Sequence, residues 1–353
     1  MKAEEIPMNT KELEQALHAL SYPGLTRTLG ELKLISEVKV KENHAKIELS
    51  TVSDDSYLTV KNAIAERFGD TFASLDITKK NLAPKDTHYG NSAAPNNRAP
   101  YAKNVIAVTS GKGGVGKSTV SVNLAIALAQ KGYRVGILDA DVYGPNVPRL
   151  TNTDLEKIKW NDDNKIVPSE NYGIKIMSVA LTTPTSDTPL VWRSSVAVSA
   201  LIQFLEDVAW GELDFMVIDM PPGTGDIQLT MAQELPITAG VIVTTPQLVA
   251  SDDVSRAIRM FQDIHVPMAG LVENMSYFIA PDTQNRYDIF GTGGGERLAA
   301  RYNIPLLGQI PIDMEIREGS DNGEPPVALG SETQKSYYKS IVENMLSAIK
   351  FRL

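Results

Sequence analysis

Apolar residues follow two different rhythms along the chain. In the first part, residues 10–19 place Leu and Ala at helical spacing, 34–40 and 45–49 alternate apolar with polar, and 56–68 return to helical spacing. This predicts a helix, two antiparallel strands and a second helix, a small α+β domain over residues 1–82. Beyond residue 100 the apolar residues gather into short, nearly continuous runs at 105–108, 135–138, 215–218, 240–243 and 268–272, with helical stretches between them. Strands apolar on both faces that alternate with helices predict a mostly parallel sheet covered on each side by helices. Ligands of such sheets bind beyond the carboxyl ends of the strands. The segment between the two regions, 83–100, reads APKDTHYGNSAAPNNRAP and has no Leu, Ile, Val or Phe to bury. It is read as a linker, followed by a second domain over 101–353.

Composition adds limits. At 42% hydrophobic and 22% charged residues, the chain can build an ordinary folded interior. A formal charge of -9 argues against sequence-independent binding to nucleic acid, which needs surplus Lys and Arg. The opening residues lack a basic flank followed by an apolar core, and no apolar run reaches the roughly 20 residues that span a bilayer, so the cytoplasm is the expected location. There is no cysteine, which excludes disulfides, thiolate metal sites and a cysteine nucleophile.

The run after the first strand of the second domain is Gly111-Lys112-Gly113-Gly114-Val115-Gly116-Lys117-Ser118-Thr119, and a helical stretch at 120–130 follows at once. It satisfies G-x-x-x-x-G-K-[ST]. The glycines let backbone N–H groups turn around phosphate oxygens, Lys117 offers a point charge, and the Ser118 hydroxyl can ligate Mg²⁺. The bland alternative is a glycine-rich turn that merely caps a helix. Asp139 and Asp141 end the next strand, and Asp219 ends the one before Met220-Pro221-Pro222-Gly223-Thr224-Gly225-Asp226. Carboxylates at those strand ends face the ligand side, where they can hold Mg²⁺ or orient a water. Taken alone, each is better read as an Asp that caps a turn. Asp226 could brace the loop that Gly223 and Gly225 loosen.

Lys112, one residue into the loop, is not required by the basic phosphate-loop pattern. With it, the run resembles the deviant Walker A motif of the MinD/ParA and nitrogenase-iron-protein superfamily. That resemblance implies a homodimer around the nucleotide, with Lys112 reaching the partner's phosphates. It further implies that Asp141 positions the attacking water and Asp219 holds magnesium in the Walker B role. Longer strings narrow the match: Leu138-Asp139-Ala140-Asp141-Val142-Tyr143-Gly144-Pro145-Asn146, the Ile218–Asp226 run, Glu273-Asn274-Met275-Ser276-Tyr277, and Asp288-Ile289-Phe290-Gly291-Thr292-Gly293-Gly294-Gly295. These resemble the Mrp-type ATPases, also called iron-sulfur cluster carrier proteins, as does the small leading domain, which is similar to one related to iron-sulfur assembly factors. The resemblance implies a slow, Mg²⁺-dependent ATPase that hands clusters to apoproteins or works with assembly partners. ATP rather than GTP is chosen by the resemblance. Asn274 stands where the superfamily reads the purine edge, and its amide suits that task. A turn-capping Asn is the competing reading.

The chain departs from the family where carriers place C-x-x-C. Here the four residues are Ala280-Pro281-Asp282-Thr283, so neither Ala280 nor Thr283 can supply the thiolate that holds a cluster. His18, His44, His88 and His265 are scattered without ligand spacing. Three alternatives therefore stand: a carrier whose cluster is held mainly by its partner, a cluster-free dimerisation switch of MinD/ParA type, and, more weakly, a small-molecule kinase. A MinD-like membrane contact would use the C-terminal stretch, where Tyr338, Ile341, Val342, Met345, Leu346 and Ile349 share one helical face. Few Lys or Arg border that face, which favours packing against the sheet over a membrane. Gly293-Gly294-Gly295 is read as a mobile turn before a helix beginning near Glu296.

Overall fold

The structure is a computed structural model, described here for residues 8–21, 28–30, 34–50, 54–80, 97–182, 194–223 and 225–352. Most of the linker expected at 83–100 lies outside the described residues, as do His88 and Thr224. The chain forms two compact units, residues 1–88 with 262–265, and residues 89–261 with 266–353.

In the smaller unit, α1 (Thr10–Ala19) begins at Asn9, whose side chain accepts from Glu12 N while the Glu12 carboxylate accepts from Asn9 N. This reciprocal cap satisfies two donors at the helix start. Strands β1 (Ile35–Lys41) and β2 (His44–Leu49) pair antiparallel in the predicted manner. α2 (Asp54–Phe68) then carries the chain back so that β3 (Ser74–Lys79) lies parallel to β2. Sequence patterning missed β3: it is a short edge strand with two apolar residues, and only its pairing with β2 identifies it. Leu13 and Leu17 of α1, Val60 and Ile64 of α2, and Ile47 of the sheet close a small apolar core.

The larger unit opens with β4 (Ala102–Ser110), α3 (Lys117–Gln130), β5 (Val135–Asp139) and the single turn α4 (Val147–Leu150). A small hairpin follows, β6 (Lys159–Trp160) with β7 (Ile166–Val167), then β8 (Ser169–Asn171), β9 (Ile174–Ser178) and α5 (Ser194–Asp207). Next come β10 (Leu213–Asp219), α6 (Asp226–Glu234), β11 (Ile237–Thr244), α7 (Leu248–Asp263) and β12 (Met268–Glu273). The chain ends with the hairpin β13 (Phe278–Ile279) and β14 (Arg286–Tyr287), α8 (Gly294–Tyr302), β15 (Leu306–Gln309), α9 (Met314–Asp321), α10 (Pro326–Leu329) and α11 (Glu332–Ala348).

Eight strands form one sheet in the order β15-β12-β11-β4-β10-β5-β9-β8, parallel throughout except for the β8–β9 edge pair. The α/β architecture with a mostly parallel, doubly wound sheet is the one expected, enlarged by β8, β9 and β15 at the edges. From β4 the chain winds outward to β5 on one side, and after β10 it crosses to β11 on the other, so a crevice opens beyond the carboxyl end of β4. α3 is buried along nearly its whole length, from Val120 to Leu128, because the sheet lies on one side and α11 on the other.

α11 settles the question raised by its apolar face. Tyr338, Ile341, Val342 and Met345 are buried in the main core, and the Gly308 backbone lies so close that a Cβ there would stand 2.7 Å from Ile341 Cγ1. The tail beyond α11 is fastened too: Arg352 exchanges hydrogen bonds of 2.7 and 2.9 Å with the buried side chain of Asn104. The apolar face is therefore spent on the sheet rather than left for a membrane. No helix among the described residues is long and apolar enough to cross one.

Candidate nucleotide site

The phosphate-loop residues occupy the crevice. Ser110 closes β4, and α3 begins at Lys117 with Gly116 in the left-handed region at φ 79°. Gly114 has φ 78°, so two glycines turn the backbone inward as the motif requires. Glycine is needed at position 111 for another reason: a Cβ there would stand 2.4 Å from Val254 N of α7. A cavity of about 600 Å³ spreads from the loop across Asp141 and Asn274 to Ile312, Met314 and Ile316.

At the back of the loop sits a buried polar cluster. Lys117 Nζ lies 2.7 Å from Asp219 Oδ1, and these side chains are only 6% and 0% exposed. Ser118 Oγ donates to Asp219 Oδ2 and Ser121 Oγ to Asp219 Oδ1, each at 2.6 Å. Ser121, one helical turn after Lys117, was not singled out from sequence because nothing in the motif distinguishes it from any helix serine. Asp139 completes the cluster. Fully buried, it accepts from Asp141 N at 3.2 Å, Val147 N at 3.1 Å and Ser178 Oγ at 3.2 Å. Burial, followed by the charge of Asp219, pushes its carboxyl up to about 7, while Lys117 pulls the other way. Its contacts brace the loop that carries Asp141.

Asp141 is half-buried and borders the cavity. Its carboxyl is pushed upward, chiefly by burial, with Lys117 opposing and Asp219 reinforcing. Lys112 Nζ donates to Gln247 Oε1 at 3.2 Å, and its carbonyl accepts from Ser110 Oγ at 2.9 Å. Gln247, at the start of α7, was invisible to local reading because β11 brings it to the loop from far along the chain. Asn274 borders the cavity as expected, but its amide also holds the loop: Nδ2 donates to the Val115 carbonyl at 2.9 Å. A Cβ on Gly116 would stand 2.2 Å from that Nδ2, so the last loop position too must be glycine.

Away from the cavity, Ala280 begins the exposed turn joining β13 to β14, with Ala280 N donating to Asn285 O at 3.0 Å. Residues 281–289 are all exposed. Among the described residues, no group of three or more His, Asp or Glu is placed to hold a metal ion. The expected mobile turn at Gly293-Gly294-Gly295 is corrected. α8 starts at Gly294, and Gly294 and Gly295 are buried because the chain packs tightly there. A Cβ on Gly294 would stand 2.3 Å from Pro246 O, and one on Gly295 would stand 2.8 Å from Glu273 Oε2.

A phosphate loop between β4 and α3, backed by a strand-end aspartate within a parallel sheet, defines a P-loop nucleotide-binding protein. Residues 101–346 match the ParA family model described as NUBPL iron-transfer P-loop NTPase. The chain belongs to this family. An iron-sulfur cluster carrier protein from Deinococcus radiodurans is 51% identical over 327 residues, covering 91% of this chain and 90% of that one. A protein of the same name from Aquifex aeolicus is 51% identical over 230 residues, which are 65% of this chain and 63% of the relative. Among solved structures, a nucleotide-binding protein from Archaeoglobus fulgidus in complex with ADP aligns with a TM-score of 0.58 at 40% identity, covering 64% of this chain and 89% of that one.

Proposed function

We propose that the protein binds ATP with Mg²⁺, pairs with a second copy of itself around the nucleotide, hydrolyses it slowly, and uses the cycle to pass iron-sulfur clusters to apoproteins. The observation that carries this proposal is the complete deviant phosphate loop, including Lys112, seated at the crevice of a chain in the iron-transfer P-loop family. Backbone N–H groups of 111–119 cradle the phosphates, and Lys117 moves from Asp219 to the β and γ phosphates when they arrive. Lys112 leaves Gln247 for the partner's nucleotide, adding positive charge where it develops during phosphoryl transfer.

Ser118 and Asp219 offer hard oxygen ligands whose side chains already lie 2.6 Å apart, a donor set suited to Mg²⁺ shared with a phosphate. When bound, the ion would neutralise charge on the β and γ phosphates. Asp141, made more basic by burial, orients the attacking water and takes up its proton. Asn274 stands where it can meet the purine while holding the loop. Calorimetric titration with MgATP, followed by light scattering of the eluted complex, tests both binding and pairing. Absence of heat with folded protein would end the proposal.

A chain without cysteine cannot supply thiolates, so the cluster is cargo held through the partner's ligands. The same observation supports a second reading, a cluster-free ATP-driven switch whose output is a protein contact. Anaerobic reconstitution with iron and sulfide, with and without an apoprotein acceptor, separates them by visible absorption. Cluster that forms on the acceptor faster with this protein and MgATP than in the acceptor-alone control supports cargo delivery, and no difference from that control supports the cluster-free switch.

A further inference from the structure

Glu273, the last residue of β12, is 1% exposed and plays no part in the nucleotide chemistry above. Its carboxylate is fully engaged. Oε1 accepts from Ser276 Oγ at 2.5 Å and from Gln309 Nε2 at 2.8 Å, while Oε2 accepts from Gly295 N at 2.5 Å. The last of these lies in the first turn of α8, where the helix end favours a negative charge. A buried carboxylate persists only with such partners, and losing them costs more than an ordinary hydrogen bond.

Its position along the chain gives these bonds a further meaning. Glu273 immediately precedes the excursion 274–294, and Gly295 immediately follows it. One side chain therefore closes both feet of the segment that carries the β13–β14 hairpin. The hairpin's turn is exposed, so its placement depends on how its base is held. Asn274, the residue after Glu273 and the first of the excursion, is bonded to Val115 of the phosphate loop, with no room for even a methyl group between Gly116 and its amide. A displacement of the loop backbone at Val115 bears on Asn274 and, through the preceding residue Glu273, on the carboxylate that anchors α8.

We infer that Glu273 is a positioning residue that couples the phosphate loop to the 278–287 hairpin, so that nucleotide occupancy is felt at the exposed turn containing Ala280 and Thr283. The coupling rests on the nucleotide reading above and gives it an outlet at an exposed turn. A second connection exists, because Ile312 N donates to Tyr277 O at 2.6 Å and Ile312 borders the cavity. The two routes make different predictions.

Hydrogen exchange of the full chain, read by mass spectrometry with and without a non-hydrolysable MgATP analogue, decides between them. In wild type, the analogue slows exchange both at 111–119 and at 278–287. In Glu273→Gln, which keeps the shape but loses the charge and sets an NH2 donor against either Gly295 N or the pair Ser276 Oγ and Gln309 Nε2, the loop remains protected. The hairpin instead exchanges about tenfold faster than in wild type and no longer responds to the analogue. Gln309→Ala removes one donor and leaves the carboxylate in place; it weakens the hairpin response by a smaller factor and serves if Glu273→Gln does not fold. A hairpin response that survives in Glu273→Gln would transfer the coupling to the Tyr277–Ile312 connection or to the backbone that runs from Asn274 into the hairpin, and overturn the assignment. So would a wild-type hairpin indifferent to the analogue while the loop is protected. Absence of protection at 111–119 in wild type would instead refute nucleotide binding itself, and the coupling with it.

Discussion

Lys117 has a structural task as well as a binding one, and Lys117→Met separates them. The ammonium lies 2.7 Å from Asp219, with both side chains out of water, and Asp139 is a second buried carboxylate beside them. Removing one partner of a buried ion pair typically costs about 3–5 kcal/mol, because the remaining charge has lost its counter-ion. The hydroxyls of Ser118 and Ser121 stay on Asp219, which places the expected loss near the lower end, about 3 kcal/mol. For a unit of this size, each kcal/mol lowers Tm by about 2–4 °C, giving a fall of roughly 6–12 °C. Scanning calorimetry at pH 8.5 without nucleotide measures it. Lowering the pH should shrink the deficit, since a proton on the carboxylate cluster replaces the missing charge. Lys117→Met/Asp219→Asn should recover most of the stability while nucleotide binding stays abolished. A Tm within about 2 °C of wild type for the single variant at pH 8.5 would refute the account of the buried pair.

Three further outcomes are expected. Asp139 has a folded-state pKa raised to about 7, so the unfolded chain ionises it more readily; its contribution to stability is greatest below about 3.9, declines as pH rises, and is lost above about 7. Asp139→Asn should flatten this part of the wild-type stability profile in denaturant titrations between those limits, and an unchanged slope would contradict it. Lys112→Ala should bind MgATP with near wild-type affinity by calorimetry yet lose ATP-dependent dimer and turnover by on the order of a hundredfold; equal loss of binding in the Lys112 and Lys117 variants would refute the division of labour. Asp141→Ala should retain affinity and slow phosphate release by about a hundredfold or more, whereas unaltered release would remove Asp141 from the mechanism.

The parts of the site that could be read from sequence are those built from consecutive residues. Gly111 to Thr119 declare their backbone geometry and charge in one run, and Asp219 follows a strand whose apolar character is unmistakable. Asn274 was found by resemblance, but its bond to Val115 required the fold. Ser121, Gln247 and Glu273 were missed because each acts through a contact with a distant part of the chain, and none differs in residue type from an ordinary polar side chain. β8 and β15 were missed because edge strands of three or four residues give too little periodicity to separate them from loops.

The sequence alone determined the class of architecture, the location of the phosphate loop and the absence of thiolates, because these depend on residue type and short-range order. Tertiary structure decided what the buried charges do to one another and where free surfaces remain. Only the packed sheet brings Asp139, Asp219 and Lys117 out of water together, turns the α11 apolar face onto the core, and draws the ends of the 274–294 excursion onto one carboxylate. Charge interactions and burial depend on distances between residues far apart in the chain, and those distances are set by folding.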